Sequence, residues 1–84
     1  MNNQRRRIEE QDTQPLPSVN RFQRYLDTYR LTWVQVARVA GVPVMTVWSI
    51  AHGLAVTSQH ASLVRQGVRR LTGVAYLDVI DVFC

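Results

Sequence analysis

The 84-residue chain has no lysine and a single cysteine, Cys84, which is its last residue. One thiol forms no disulfide within a chain, and with only His52 and His60 to assist it, it cannot complete a zinc site. The sequence also lacks a glycine-rich phosphate loop and any spacing that supports a catalytic triad. These absences predict a protein that is not an enzyme and that holds neither a cofactor nor a metal.

Long apolar runs are equally scarce. No stretch of the sequence approaches the roughly 20 apolar residues that cross a membrane. The arginines near the N-terminus are not followed by the apolar run of a signal peptide. We therefore expect a soluble, cytoplasmic protein with no membrane partner.

Positive charge exceeds negative charge, but only moderately. Ten arginines face six acidic residues, which gives a formal net charge of +4. Such a charge permits a polyanionic partner without requiring one. Three of the arginines form one run, Arg5-Arg6-Arg7, so the rest of the chain is only weakly positive.

Composition divides the chain into three parts. Residues 1–17 contain two prolines and few strong hydrophobes, which predicts a disordered, flexible N-terminal arm that is basic. Residues 18–73 have apolar residues at helical spacing and form the predicted domain. Residues 74–84 are apolar without a clear period, and we interpret them as a dimerisation element. So short a chain has a thin stability margin, which favours a second copy as partner.

Capping signals define the first two predicted helices. The first spans about 20–29, with three apolar residues on one inward stripe: Phe22, Leu26 and Tyr29. The second starts at Thr32, because the Thr32 hydroxyl and the side chain of Gln35 fit a capping box. Gly41 ends this second helix, since glycine adopts a positive φ without steric cost.

Two further helices follow. The third, over about 43–52, opens with a proline in the first helical position, where the missing N–H does no harm. The fourth is capped by Thr57 or Ser58 and extends to about Leu71. Gly67, inside the fourth helix, costs up to about 1 kcal/mol relative to alanine. We interpret this glycine as a site of close helix packing.

The connection between the second and third helices is the most informative feature. The turn around Gly41 is only about three residues long, which forces a steep crossing angle. Ala37 is small where the two helices would touch, while Val47 and Ile50 anchor the later helix to the earlier one. This arrangement is typical of a helix-turn-helix, whose second helix usually enters the major groove of DNA.

The stretch LTWVQVARVAGVPVMTVWSIAHG, residues 31–53, resembles the Cro/C1-type helix-turn-helix of phage repressors and their bacterial relatives. The residues that match, in register and without a gap, are Leu31, Ala37, Gly41, Val47, Ile50 and Gly53. The resemblance covers about 21–76. It implies an all-α, lambda-repressor-like bundle of four to five helices. It also implies a regulator of transcription, such as a repressor, that binds double-stranded DNA as a homodimer.

The resemblance also implies which residues meet DNA. The predicted DNA-binding residues lie at the start of the second helix and along the third: Thr32, Trp33, Val44, Met45, Thr46, Trp48, Ser49 and His52. The candidates for phosphate contacts are all arginines, from the arm and the fourth helix: Arg5, Arg6, Arg7, Arg65, Arg69 and Arg70.

This sequence departs from the family pattern, in which groove-facing positions are mostly polar. No arginine lies between Arg38 and Arg65, although neutralised phosphates supply most nonspecific affinity for DNA. A second hypothesis therefore stays open, that of a protein-interaction module on the same scaffold. Its partner would dock on the apolar face formed by Trp33, Val44, Met45 and Trp48.

Overall fold

The computed structural model describes residues 20–83. These residues form four helices, which we number α1 (Arg21–Thr28), α2 (Trp33–Ala40), α3 (Val44–Ala51) and α4 (Ser58–Thr72). Their only β-type pairing is an isolated parallel bridge between Val56 and Val82. The described part of the chain is therefore all-α, as predicted, and it has four helices where four to five were expected. The predicted arm, residues 1–17, lies outside the described residues.

Side-chain caps set the start of the first two helices. The Asn20 side-chain oxygen accepts the N–H of Gln23 at 2.9 Å and begins α1. At α2, the Thr32 hydroxyl accepts the N–H of Gln35 at 3.1 Å, and the Gln35 side chain accepts the Thr32 N–H at 2.8 Å. Gly41 ends α2 with a φ of +75°. The predicted capping box and glycine stop are confirmed.

The turn between α2 and α3 comprises residues 41–43. Pro43 has an extended backbone, with φ −61° and ψ 146°, and precedes α3 as its N-cap. The predicted start at Pro43 was one residue too early, because the proline orients the chain into the helix without being part of it. At the other end, His52 caps α3 and Gly53 follows with a φ of +75°.

The fourth helix packs closely on the second. Thr57 caps α4, and its hydroxyl accepts the N–H of His60 at 3.1 Å. A Cβ built on Gly67 would lie 2.9 Å from the Cβ of Ala40, closer than two carbon side chains normally approach. The prediction that Gly67 is a close-packing site is confirmed, and any side chain there would separate α2 from α4.

The core lies between the four helices. The buried side chains of residues 20–83 are apolar or aromatic, so the hydrophobic effect is the main contribution to the core. The largest side chains that are almost completely buried come from all four helices: Phe22, Leu26, Val36, Val47, Val64 and Val68. None of these helices has both the length and the hydrophobicity to cross a bilayer.

The C-terminal segment, residues 74–83, packs against the same core. Tyr76 is 5% exposed and Ile80 is 8% exposed. The Tyr76 ring meets the rings of Phe22 and Tyr25 edge-on, each with centroids 5.3 Å apart. We call Phe22, Tyr25 and Tyr76 the inner aromatic cluster. Part of the segment predicted for dimerisation thus completes the core of its own domain.

Candidate functional site

Helix α3 has one face in the core and the opposite face in solvent. Val47, Ile50 and Ala51 are buried. Val44 and Met45, the first two residues of the helix, are 41% and 60% exposed. The stretch predicted to be an outward-facing helix is therefore helical, and its predicted anchors point inward.

Three of the predicted site residues gather at the C-terminal end of this exposed face. The rings of Trp48 and His52 are stacked, with centroids 4.1 Å apart and planes inclined by 22°. Trp33, from the start of α2, meets the His52 ring edge-on at 5.8 Å. We call Trp33, Trp48 and His52 the outer aromatic cluster. The members of this cluster come from α2 and from α3 with its C-cap, and they lie up to 19 positions apart in the sequence. The fold brings them together into one surface.

Hydrogen bonds hold two members of the outer aromatic cluster. The Trp33 indole N–H donates to the Gln23 side-chain oxygen at 2.9 Å. The Nδ1 atom of His52 lies 2.8 Å from the carbonyl oxygen of Trp48, so this nitrogen carries a hydrogen and donates it. A phosphate contact by His52 is left to its other ring nitrogen, Nε2, which donates only when the ring is protonated.

A shallow apolar cleft of about 340 Å³ adjoins the outer aromatic cluster. It lies where the starts of α2 and α3 approach each other, and no charged side chain lines it. Its walls are formed by Gln23, Leu31, Thr32, Trp33, Val34 and Val44. The fold therefore brings the predicted residues Thr32 and Trp33 next to Val44.

Sequence reasoning missed Val34 as a member of this surface. Val34 is 53% exposed, although it belongs to an apolar run in the sequence. The signal that identifies it is its place off the inward stripe of α2, which consists of Val36, Ala37 and Ala40. An apolar side chain on the outer side of a helix is a candidate for contact with a partner.

The remaining polar residues of α3 are less accessible. Thr46 and Ser49 are both half-buried. The Thr46 hydroxyl lies 3.4 Å from Nδ1 of His60, which is near the limit of a hydrogen bond. The exposed face of α3 is consequently apolar and aromatic, with few side-chain donors or acceptors.

The structure describes only some of the arginines that were predicted to contact phosphate. Arg5, Arg6 and Arg7 lie outside the described residues. The two terminal nitrogens of Arg65 donate to the carbonyl oxygens of Tyr76 and Asp78. Its guanidinium carbon also lies 5.6 Å from the centroid of the Tyr76 ring.

Arg65 therefore has a structural role that the sequence analysis did not foresee, because two of its nitrogens bind the C-terminal segment. Its phosphate contact stays a prediction. Arg69 and Arg70 are exposed in the last turn of α4, where a positive charge also suits the helix dipole. Their phosphate contacts stay predictions.

No protein-family model matches the chain, and neither a curated protein nor a solved structure is significantly similar to it. The resemblance to the Cro/C1 type thus stays a prediction from residues 31–53.

Proposed function

We propose that the chain is a sequence-specific DNA-binding regulator of transcription, of the Cro/C1 helix-turn-helix type, with α3 in the major groove. One observation carries this proposal: α3 follows α2 after a three-residue turn and exposes the face opposite Val47, Ile50 and Ala51. An exposed helix fits the major groove, and its N-terminal residues then meet the base edges. Val44 and Met45 hold those positions here.

The start of α2 supports the same docking. Thr32 and Trp33 line one cleft with Val44, so the first turn of α2 lies beside the first turn of α3. In helix-turn-helix complexes the earlier helix crosses the DNA backbone while the later one enters the groove. Thr32 is exposed. In this proposal it is the residue of α2's start that contacts the DNA backbone.

A homodimer is part of the proposal, and the C-terminal segment supports it. Leu77 and Val79 are 86% and 80% exposed. Val56 binds the carbonyl of Asp81 and the N–H of Phe83, so the N–H and C=O of Val82 face the other way. An open edge with apolar side chains is a template for strand pairing. Two copies joined at this edge would bind half-sites about 34 Å apart, or a multiple of that distance.

Sedimentation analysis of the full chain tests the homodimer. We expect dimers for the natural chain and monomers for Val79→Glu, because the new carboxylate would replace one of the exposed apolar side chains of the C-terminal segment. Gln59→Glu, at an exposed position on α4, adds the same charge elsewhere and should leave the dimer intact. A natural chain that sediments as a monomer at the concentrations used for DNA binding would remove this part of the proposal.

Selection of duplexes from a random pool, followed by fluorescence anisotropy, tests DNA binding. We expect a preferred sequence and a shallow salt dependence, since log K falls by about 0.9 per phosphate contact per decade of salt. Met45→Glu should abolish binding, because a carboxylate in the groove faces the negative potential of DNA. Gln66→Glu places the same charge on an exposed position of α4 and serves as the control. Absence of any duplex binding at low salt would refute the proposal.

The protein-interaction module is the second candidate, and the character of the site favours it. Leu31, Trp33, Val34 and Val44 form most of the cleft wall, and no charged residue occurs on α3. Aromatic residues and methionine are enriched at protein interfaces, whereas charged residues are depleted at their centres. Undetectable duplex binding at low salt, together with a partner protein whose binding is lost in Met45→Glu but kept in Gln66→Glu, is the outcome expected of this candidate.

A further inference from the structure

The exposed large hydrophobic side chains of α3 lie at its start. Val44 and Met45 begin the helix, and Met45 is the more exposed at 60%. Val44 also lines the cleft with Trp33, so the start of α2 supports its position. Branching at Cβ further limits the valine to few rotamers. The groove-facing start of α3 is thus a short apolar surface with a defined shape.

The polar side chains of α3, Thr46 and Ser49, are less exposed than Val44 and Met45. The Thr46 hydroxyl faces His60 at 3.4 Å, and Ser49 is half-buried. His52 uses Nδ1 on the Trp48 carbonyl, and its ring is stacked on Trp48. Bidentate hydrogen bonds to bases require Arg, Lys, Asn or Gln, and α3 contains none of these residues.

The major groove offers one apolar group on an unmodified base, the C5-methyl group of thymine. From this we infer that Val44 and Met45 select DNA by contact with thymine methyl groups, and that these contacts set the sequence preference. The inference rests on the proposed function and adds to it the chemical group that is recognised. Contact with a methyl group needs neither a charged side chain nor a hydrogen-bond donor. It therefore suits this face, which has no charged residue and few donors or acceptors.

Uracil substitution isolates the methyl group. Deoxyuridine pairs like thymidine and keeps the O4 acceptor in the groove, but it has no C5-methyl group. Each thymine of the selected duplex is replaced singly, and affinities for the full chain are compared by anisotropy. We expect about a fourfold loss at each contacted thymine, because burial of one methyl group contributes about 0.8 kcal/mol. Placing 5-methylcytosine instead of cytosine at the same positions should raise affinity by a similar factor.

The Val44→Ala and Met45→Ala variants identify the side chains responsible. Each variant should reduce the thymine-to-uracil affinity ratio to about one at its own position and leave the ratio at other positions unchanged. This ratio is measured with one protein sample on two duplexes, so a loss of folded protein cancels. Gln66→Ala, on the exposed face of α4, should keep the natural ratio everywhere.

The possible outcomes distinguish this inference from the proposed function on which it rests. A selected duplex that binds tightly, but with a ratio of one at every thymine, would overturn methyl readout and leave DNA binding intact. A normal ratio in both alanine variants would overturn the assignment to Val44 and Met45. If no duplex binds at all, the inference and the proposed function both fall.

Discussion

The molecule has two aromatic clusters with similar ring distances and different surroundings. In the inner aromatic cluster, Tyr76 meets Phe22 and Tyr25 at 5.3 Å, and Phe22 and Tyr76 are buried. In the outer aromatic cluster, His52 lies 4.1 Å from Trp48 and 5.8 Å from Trp33, yet the histidine stays exposed. Ring contact alone therefore does not decide whether a group of aromatic residues becomes core or surface.

The two clusters differ in how far other residues of the chain cover them. The inner cluster is covered by residues 74–83, and Arg65 binds two carbonyl groups of that segment. Its Tyr25 hydroxyl also meets the Thr72 hydroxyl at 2.6 Å and donates to the Val74 carbonyl. In the outer cluster, the Trp48 indole N–H has no partner among residues 20–83. The first cluster is largely covered by its own domain, and the second is open to solvent.

The largest expected effect comes from breaking the inner cluster. Tyr76→Ala removes a buried ring that packs on two others, so we expect a loss of about 3–5 kcal/mol in the free energy of unfolding. For a small domain this is a large share of a total of roughly 5–15 kcal/mol. Urea unfolding followed by circular dichroism measures it. A loss below about 1 kcal/mol would mean that the C-terminal segment contributes little to the core.

The closure of the inner cluster by Arg65 gives the next effect. Arg65→Met keeps most of the aliphatic stem but removes both donors to the segment carbonyls, and we expect a loss of about 2 kcal/mol, the typical contribution of one to two hydrogen bonds to a charged group. Arg69→Met, at an exposed position on the same helix, should change stability by less than about 0.5 kcal/mol. Thermal unfolding compares the two variants, and equal shifts in Tm would contradict the role of Arg65.

Truncation in the outer cluster should affect stability less. Trp48 is half-buried and lies outside the core cluster, so Trp48→Ala should cost about 1 kcal/mol, well under the cost of losing a fully buried ring. Its duplex affinity should nevertheless fall at least tenfold if the outer cluster is the contact surface. Circular dichroism and anisotropy on the same sample measure both. A stability loss equal to that of Tyr76→Ala would remove the distinction between the clusters.

The smallest effect is a dependence of stability on alkaline pH. Burial of Tyr76, with a smaller contribution from the charge of Asp78, raises the pKa of its phenol above the ordinary value of 10.0, and Arg65 and Arg21 partly oppose this. Because the folded-state pKa is the higher one, the neutral ring contributes its full stability below about pH 10, and this contribution is lost as pH rises through the folded-state pKa.

Tyr76→Phe checks this dependence. The phenylalanine ring keeps the packing but does not ionise, so stability should fall less between about pH 9 and 11 than in the natural chain. Tyr29→Phe, at an exposed position with 38% accessibility, serves as the control. Identical alkaline profiles for the natural chain and Tyr76→Phe would contradict the assignment.

Local signals in the sequence predicted the helices well. The capping box of Thr32 and Gln35 and the glycine stop at Gly41 were correct, and of the two predicted caps of the fourth helix, Thr57 and Ser58, the structure has Thr57. One prediction on the inward stripe of the first helix was wrong, since Tyr29 is exposed. Helix α1 ends at Thr28, and Tyr29 follows as its C-cap with a φ of −100°, so the helical stripe stops before this residue.

Most members of the candidate site were predicted from the sequence, but Val34 was missed, and so was the shape of the site. Periodicity placed Val47 and Ile50 inward, and the family resemblance implied that Val44 and Met45 face outward. The stacking of Trp48 on His52 is local to α3, because the two residues are four positions apart. The approach of Trp33 to His52 instead depends on how α2 and α3 cross. That crossing depends on side-chain packing between the two helices, which a pattern in one helix does not specify.

By itself, the sequence determined where the helices begin and end and which side of each is apolar, because caps and periodicity act between residues three or four positions apart. Only the tertiary structure decided that Arg65 serves the C-terminal segment and that Tyr76 joins Phe22, a residue 54 positions earlier in the chain. Contacts over such separations form only after the helices have packed, since the loop-closure entropy must first be offset by burial of the core.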